Sequence, residues 1–321
     1  GPRTSDILHA SLLTLARTPG MSLVALPLLL SNQSLRRKLV GGLNDAIGLG
    51  SFWAQYEAWS DAERVADDFI ARMDADDESL PTRLEKSIAT LLRLPALAGV
   101  GTQVELFRED QPDSPNLQRF ATWLNSLTSP QTLRDERFIE SPLCHPSVTL
   151  RRYALEAVGG WEDGDFPEDW QLWLKLLDKG FALTCVGEVL HRWRDHERRA
   201  TRVDLRYRHE AHHALKARFL APLLTPTAHT RTFVWGAGEV GLQMLRQLRA
   251  LRVPVLALVD VDPRKIGQRI DGVSVIDHHE LPAPQGNKLI AAVGAKGARE
   301  DIRAYLQTRA WREGVDFWCV A

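Results

Sequence analysis

An apolar run that ends in a cluster of acidic residues decides how this sequence is interpreted: Phe69-Ile-Ala-Arg-Met-Asp-Ala-Asp-Asp77. The short run predicts a β-strand over Phe69–Met73. Because alternate residues of an extended segment point the same way, Asp74 and Asp76 can present their carboxylates together. Such a pair at the carboxyl end of a strand suits a hard divalent cation, which would neutralise a diphosphate. The alternative interpretation is a solvated acidic loop.

Helix and strand patterns alternate on both sides of this turn. Helices are predicted over Ser5–Arg17, Gln33–Ala46 and Pro81–Leu94, and strands over Met21–Leu30 and Ala98–Phe107. This alternation favours an α/β architecture with a mostly parallel sheet.

A stretch with two prolines and little charge, residues 221–230, separates two patterned regions. Before it, the pattern predicts a helix over Val203–Leu220; after it, the pattern predicts a strand over Arg231–Trp235. We therefore place a domain boundary near residue 228, between a first domain of residues 1–228 and a second of residues 229–321. The length of 321 residues agrees with two domains, at about 150 residues each.

The second domain opens with a strand that runs into glycines, Thr232-Phe-Val-Trp-Gly-Ala-Gly-Glu-Val-Gly241. A helical pattern follows, and the next strand, Val255–Val259, ends in an acidic residue. This is the context that the dinucleotide-binding fingerprint requires: the glycines let a pyrophosphate approach the helix amino terminus, and the acid accepts hydrogen bonds from a ribose. The residues expected to bind this cofactor are Gly236, Gly238, Gly241 and Asp260.

The stretches Val259–Gly267 and Ile270–Val275 resemble small Rossmann-like domains of bacterial sugar-modifying and polysaccharide-assembly proteins. That resemblance implies NAD(H) or a nucleotide sugar as ligand. No Tyr-x-x-x-Lys dyad of an oxidoreductase follows the glycines, which favours a binding or regulatory module over a dehydrogenase. A degenerate Rossmann domain that serves for docking is the alternative.

A second pair of carboxylates, Glu168 and Asp169, opens a predicted amphipathic helix that runs through Leu177. Either carboxylate could simply cap that helix. On the functional interpretation, one of them is a general base that removes a proton from an attacking hydroxyl.

The two carboxylate pairs belong to a longer series of motifs. In order along the chain these are Phe69–Glu85, Gly99–Glu105, Cys144–Arg152, Val158–Trp161, Pro167–Trp173 and Trp193–His196. In order and spacing the series closely resembles the family 2 glycosyltransferases, inverting enzymes with the GT-A fold. The resemblance covers roughly residues 69–199. It implies a GT-A-like glycosyltransferase domain. Together with the Rossmann-like resemblance of the second domain, it predicts an α/β chain in which a GT-A-like domain is followed by a small Rossmann-like domain.

The resemblance also implies roles for individual residues. Asp74 and Asp76 stand at the motif that holds Mn²⁺ or Mg²⁺ against the donor's diphosphate, and His196 stands where related enzymes place a histidine near the metal. Asp169 stands at the catalytic base, and Glu168 would help to orient the acceptor. The exposed-loop alternative stays open for His196, and His145 is expected to be structural.

The implied reaction transfers a sugar, with inversion, from a nucleoside-diphosphate sugar to an acceptor hydroxyl. The acceptor would be a carbohydrate or a lipid-linked molecule, in cell-surface polysaccharide or glycolipid biosynthesis. Two alternatives remain: an NAD-dependent oxidoreductase that modifies nucleotide sugars, and a non-catalytic scaffold that binds them.

A basic stretch from Arg192 to Arg218 carries nine Lys and Arg against four Asp and Glu. The simpler interpretation is a solvated helix face. On the functional interpretation, Arg198 and Arg199 meet the donor diphosphate or an anionic acceptor. A basic helix could also rest on an anionic membrane surface.

Composition excludes several functions. With 40 Lys and Arg against 41 Asp and Glu, the chain lacks the broad basic surface of a nucleic-acid binder. Its three scattered cysteines predict no disulfide framework, which favours the cytoplasm. The longest apolar run, Met21–Leu30, is too short for a membrane span, so we expect a soluble protein that can still touch the inner membrane face.

One departure from the family concerns the nucleotide pocket. The family normally opens with a buried strand, whereas this chain begins on the predicted helix Ser5–Arg17. We expect either that the first strand is missing from this chain or that the pocket is unusual.

Overall fold

The computed structural model describes residues 2–19, 21, 25–31, 33–41, 49–58, 69–108, 115–197, 199–225, 227 and 229–321. The helices are α1 Pro2–Arg17, α2 Leu26–Ser31, α3 Gln33–Gly41, α4 Leu49–Ala58, α5 Arg83–Arg93, α6 Pro115–Ser126, α7 Pro130–Glu136, α8 Arg152–Ala157, α9 Glu168–Asp178, α10 Ala200–Val203, α11 His209–Leu224, α12 Glu239–Ala250 and α13 Ala298–Thr308. The strands are β1 Phe69–Ala71, β2 Glu78–Ser79, β3 Leu97–Phe107, β4 Thr149–Arg151, β5 Ala182–Arg194, β6 Thr232–Trp235, β7 Val255–Asp260, β8 Arg269–Ile270, β9 Val273–Asp277, β10 Lys288–Ala291 and β11 Phe317–Cys319. In this described part of the chain, no helix is long and apolar enough to cross a membrane.

The first four helices share a small apolar core of their own, which includes the buried Trp53 and Tyr56. The predicted helices at Ser5–Arg17 and Gln33–Ala46 are confirmed by α1 and α3, although residues 42–48 lie outside the described residues. The strand predicted over Met21–Leu30 is wrong, because its second half is helix α2. A short apolar run does not distinguish a strand from a buried helix, and Pro27 is well tolerated in a first helical turn.

The first sheet has the strand order β1-β4-β3-β5-β2. Only β3 and β5 run parallel; the other three pairings are antiparallel. The expectation of a mostly parallel sheet is therefore wrong here. The strands that reverse the direction, β2 and β4, are only two and three residues long, too short to leave a pattern in the sequence.

The second sheet has the order β11-β10-β6-β7-β9-β8, and all its pairings are parallel except β8 with β9. The strands predicted over Arg231–Trp235 and Val255–Val259 are confirmed as β6 and β7. Strand order reverses at β6, which lies between β7 and β10. Ligands of doubly wound folds bind in the crevice that opens at such a reversal.

One sheet lies on each side of residue 228, which is itself outside the described residues, so the domain boundary stays a prediction. The helix predicted over Val203–Leu220 begins later than expected, at His209. Asp204 accepts a hydrogen bond from the backbone N–H of Arg206 at 3.0 Å and caps a short 3-10 turn there instead. Helix α11 then packs on α12, and one apolar cluster contains residues of α9, α11, α12 and the second sheet.

Lys216 of α11 connects the two parts of the chain. Only 6% of the residue is exposed. Its Nζ donates to the carbonyl of Ile139 at 2.9 Å and to the carbonyl of Val320, just after β11, at 2.8 Å. It also lies 5.1 Å from the ring centre of Trp170 in α9. Burial lowers the pKa of Lys216 to about 8.

Replacing Lys216 with methionine keeps the length of the side chain but removes both hydrogen bonds. We expect Lys216→Met to lower the free energy of unfolding by about 2 kcal/mol, because the two carbonyls lose their donor. Denaturant unfolding monitored by tryptophan fluorescence would measure the change. Lys296→Met, at an exposed position, is the control and should leave stability unchanged. Equal stability of the two variants would contradict the connecting role.

Candidate active site

A cavity of about 540 Å³ lies where the segments that follow β1 and β5 meet the start of α9. The predicted residues that line it are Asp74, Asp76, Glu168, Asp169, His196 and Arg199. The fold thus brings together two carboxylate pairs that are nearly a hundred residues apart in the sequence. Arg198, the remaining residue predicted for this site, lies outside the described residues.

The acidic turn is held in place by Asp77, for which the sequence analysis predicted no role. Its side chain is only 3% exposed, and its Oδ2 lies 3.0 Å from Nε2 of the buried His191. Its Oδ1 accepts a hydrogen bond from the backbone N–H of Arg194 at 2.9 Å. Because both partners belong to β5, the acidic turn is fixed to the end of that strand.

Asp76 and His196 form a pair beside this anchor. His196 Nε2 lies 2.9 Å from Asp76 Oδ2, and because a carboxylate only accepts, the imidazole donates. This hydrogen bond is the main reason that the pKa of Asp76 is lowered. Asp76 is therefore an anion across the neutral pH range.

The pKa of Asp74 is shifted in the opposite direction to that of Asp76. Partial burial raises its pKa, an effect that the guanidinium of Arg72 opposes and the charges of Asp77 and Asp76 reinforce. Arg72 Nε lies 3.3 Å from Asp74 Oδ1. Several carboxylates crowded at one turn would be stabilised by a cation.

Carboxylate oxygens and an imidazole nitrogen form a donor set that suits a divalent metal, Mn²⁺ in particular. Asp76 and His196 are adjacent, but Asp74 does not join them at ligand spacing. Among the described residues, the three do not bring their ligand atoms within 4.8 Å of one another. Their role as metal ligands therefore stays a prediction.

Asp169 lies in the first turn of α9 and is half-buried. Burial, together with the negative charge of Glu168, raises its pKa to about 7. A carboxyl group with such a pKa is close to half ionised at neutral pH, which is the condition that favours a general base.

Glu168, the neighbour of Asp169, is fixed by a residue that the sequence did not indicate. The hydroxyl of Tyr207 donates to Glu168 Oε2 at 3.0 Å, and Arg206 Nη1 lies 3.6 Å from the same oxygen. Burial and the two carboxylates raise the pKa of Tyr207, so the phenol stays protonated and remains a donor. A tyrosine within a charged stretch carried no signal that could have revealed this contact.

Arg199 brings a positive charge to the cavity. Its guanidinium lies 4.0 Å from the ring centre of Trp193, and its Nη1 is 3.6 Å from Asp195. Asp195 is buried and also binds Arg108 and Arg202. This network, which the sequence did not predict, holds Arg199 at the cavity wall with its side chain only 10% exposed.

His145, which we expect to be structural, lies at the wall of the first cavity. Its Nε2 accepts a hydrogen bond from the indole of Trp161 at 3.0 Å, and burial lowers its pKa to about 3. The imidazole is therefore neutral at physiological pH.

A second cavity, of about 710 Å³, lies at the strand-order reversal of the second sheet. Gly236 and Gly238 line it, whereas Gly241 does not. Gly236 has φ +121°, and a Cβ at Gly241 would lie 1.8 Å from the carbonyl oxygen of Gly236. Gly241 therefore allows close packing of helix on strand, and Gly238, with open space around it, is the position that a ligand could approach.

Asp260 also lines the second cavity, but its carboxylate oxygens already accept hydrogen bonds from other groups of the protein. Oδ2 accepts from the backbone N–H of Ala237 at 2.8 Å and from Lys265 Nζ at 3.1 Å. Oδ1 accepts from the backbone N–H groups of Val261 and Asp262. A ribose would have to replace one of these donors, most readily Lys265, and the ribose contact stays a prediction.

Part of the chain is similar to curated glycosyltransferases. It is 29% identical over 123 residues to an uncharacterized glycosyltransferase of Haemophilus influenzae, covering 38% of this chain and 43% of the relative. It is 31% identical over 131 residues to the putative glycosyltransferase EpsE of Bacillus subtilis, covering 40% and 44%. It is 28% identical over 151 residues to the O-antigen biosynthesis glycosyltransferase WbnJ of Escherichia coli, covering 46% and 55%.

These matches span roughly half the length of each relative, between 43% and 55%. No family model matches the chain. The similarity supports a relationship to glycosyltransferases for the matched part.

The raised pKa of Asp169 makes stability depend on pH. An unfolded aspartate ionises near pH 4 (about its unperturbed pKa), whereas folded Asp169 keeps its proton until about pH 7. The folded state binds more protons in this window, so Asp169 lowers stability as pH rises through it. We expect Asp169→Asn to be more stable than wild type at pH 8, by at most about 4 kcal/mol, and to lose this advantage near pH 4.

Denaturant unfolding at both pH values would measure this difference. Asp178→Asn, at the exposed far end of the same helix, is the control and should show no such dependence. The same gain in stability at both pH values would contradict burial of the Asp169 carboxylate.

Proposed function

We propose that this protein is an inverting glycosyltransferase of the GT-A type, which transfers a sugar from a nucleoside-diphosphate donor to an acceptor hydroxyl. The observation that carries the proposal is that Asp169, with a pKa of about 7, faces the same cavity as the Asp76–His196 pair. The similarity to curated glycosyltransferases, one named for O-antigen biosynthesis, supports this chemistry.

The donor diphosphate would lie beside the acidic turn, where Arg199, together with Arg198, would bind its oxygens. Asp74, Asp76 and His196 would hold Mn²⁺ or Mg²⁺. When bound, such a cation offsets the negative charge that develops on the departing diphosphate. Arg199 is suited to the same task, because its stacking on Trp193 and its contact with Asp195 keep the guanidinium at the cavity wall.

The acceptor would lie beside the start of α9. Asp169 removes the proton of the acceptor hydroxyl while its oxygen forms a bond to the anomeric carbon. The bond from that carbon to the phosphate oxygen breaks on the opposite face, and the electron pair leaves with the nucleoside diphosphate. The configuration at the anomeric carbon is thereby inverted. Glu168, held by Tyr207, would orient the acceptor.

The acceptor would be a carbohydrate or a lipid-linked molecule used in cell-surface polysaccharide or glycolipid biosynthesis, at the cytoplasmic face of the membrane. The second cavity would bind NAD(H) or a nucleotide sugar, with its phosphates near Gly238 at the amino terminus of α12. The similarity to glycosyltransferases does not favour the alternative of an NAD-dependent oxidoreductase.

Loss of the base should abolish transfer. With a panel of nucleoside-diphosphate sugars and Mn²⁺, we expect Asp169→Asn to reduce release of the nucleoside diphosphate by at least about 100-fold. In the wild type, the rate should rise with pH through about 7 and then level, because only ionised Asp169 accepts a proton. A coupled assay for nucleoside diphosphate would measure both effects.

Asp178→Asn is again the matched control and should retain wild-type rates. If Asp169→Asn still releases nucleoside diphosphate, Asp169 is not the base. If EDTA leaves the release unaffected, the reaction does not require a metal. A failure of every donor to react with the wild type would favour a non-catalytic protein that binds nucleotide sugars.

Gly238 offers a test of the second cavity. Its backbone has φ −101°, which any residue can adopt, and no heavy atom lies within 4 Å of the position of an added Cβ. We therefore expect Gly238→Leu to fold normally but to weaken binding of NAD⁺ or UDP-sugars at least about 10-fold, because its side chain occupies the space expected for a phosphate. Isothermal titration calorimetry would measure affinity. Ala295→Leu, at another position of the cavity wall, would serve for comparison. Equal affinity of wild type and Gly238→Leu would place the ligand elsewhere.

A further inference from the structure

Three consecutive side chains with metal-binding chemistry lie beside the second cavity, away from the groups used above. They are Asp277, His278 and His279, and one ligand atom of each lies within 4.8 Å of the other two. Within the part of the chain that the structure describes, no other group of three His, Cys, Asp or Glu residues meets this spacing. His278 also lines the cavity.

The backbone of this segment is held by the residues around it. Asp277 is the last residue of β9, and its Oδ1 accepts a hydrogen bond from the backbone N–H of His279 at 2.8 Å. The carbonyl of His278 accepts from the hydroxyl of Tyr305 in α13 at 3.0 Å. The turn is therefore tied to a strand on one side and a helix on the other, which reduces the entropy that a ligand set must lose on binding an ion.

The side chains are also placed close together. The ring centres of His278 and His279 are 3.9 Å apart, and His278 packs on Trp235 and Tyr305 at 5.9 and 5.1 Å. Such packing restricts the rotation of the His278 imidazole. Arg309 Nη1 contacts the backbone carbonyl of His279 at 3.5 Å.

His278 Nδ1 is the atom that points to a ligand. It is buried and makes no hydrogen bond, although Asp277 Oδ1 lies only 3.0 Å away. Two tetrahedral ligands of zinc, each about 2.0–2.1 Å from the ion, lie roughly 3.3 Å apart. The separation of these two atoms is thus close to that of two ligands of one ion, and an ion between them would satisfy the buried nitrogen.

We propose that Asp277, His278 and His279 bind a divalent cation of the zinc class at the rim of the second cavity. Two imidazoles and one carboxylate favour Zn²⁺, Co²⁺ or Ni²⁺ over Mg²⁺. Three protein ligands leave one tetrahedral position, which an anionic oxygen of a molecule in the cavity would occupy. The site is separate from the proposed metal site at Asp74 and Asp76, and does not depend on glycosyltransferase activity.

Co²⁺ is the probe for the experiment, because its visible absorption reports tetrahedral coordination. The full chain would be titrated with Co²⁺ and followed by absorbance and by calorimetry. We expect the protein to bind one equivalent of Co²⁺ with tetrahedral absorption. His279→Gln and Asp277→Asn should each weaken the affinity for Co²⁺ at least about 10-fold. Both substitutions leave His278 packed, and the asparagine oxygen can still accept from the N–H of His279.

Two controls separate this site from others. A double variant at the exposed residues His9 and His209, each changed to Gln, should bind Co²⁺ like the wild type. Asp76→Asn should still bind the same equivalent of Co²⁺, because this substitution affects only the proposed metal site of the first cavity. Unchanged Co²⁺ affinity and absorption in His279→Gln and Asp277→Asn would overturn the proposal, as would the loss of this equivalent in Asp76→Asn.

Discussion

Asp77 holds the acidic turn against the strand that completes the candidate active site. Its buried carboxylate contacts His191 and the backbone N–H of Arg194, both in β5, so the turn after β1 is held to the end of β5. This contact is what places Asp76 beside His196. A buried carboxylate is stable only when its oxygens are satisfied, which explains why both of its oxygens have partners.

Asp76 and Asp169 both present a carboxyl group to the first cavity, but their pKa values are shifted in opposite directions because their surroundings differ. A hydrogen bond from His196 lowers the pKa of Asp76 and keeps it charged. Burial beside Glu168 raises the pKa of Asp169 to about 7. The first condition suits the binding of a cation, and the second suits the uptake of a proton. The overall net charge of −1 gives no indication of this local polarity.

A chain of hydrogen bonds connects the second cavity to the first. The backbone N–H of Val320 donates to the carbonyl of Ala291, next to a residue of the second cavity, and the carbonyl of Val320 accepts from Lys216. Lys216 also binds the carbonyl of Ile139, whose neighbour Glu140 lines the first cavity. The two cavities therefore share a common structural support.

The sequence alone specifies the local features: the strand before the acidic turn, the start of α9 with its carboxylates, and the strand, glycines and helix of the second sheet. These follow from patterns within a few residues. It misplaced a strand at residues 21–30 and the start of α11, where a short apolar run and a capping aspartate decide the outcome.

Which side chains come into contact depends on the folded chain. The anchoring of Asp77 by β5, the contact of Tyr207 with Glu168 and the hydrogen bond from Ala237 to Asp260 all join segments that are far apart in the sequence. The raised pKa of Asp169 depends on burial, which only the folded chain supplies. Hydrogen bonds and desolvation act over a few ångströms, so their partners are fixed only after the chain has folded.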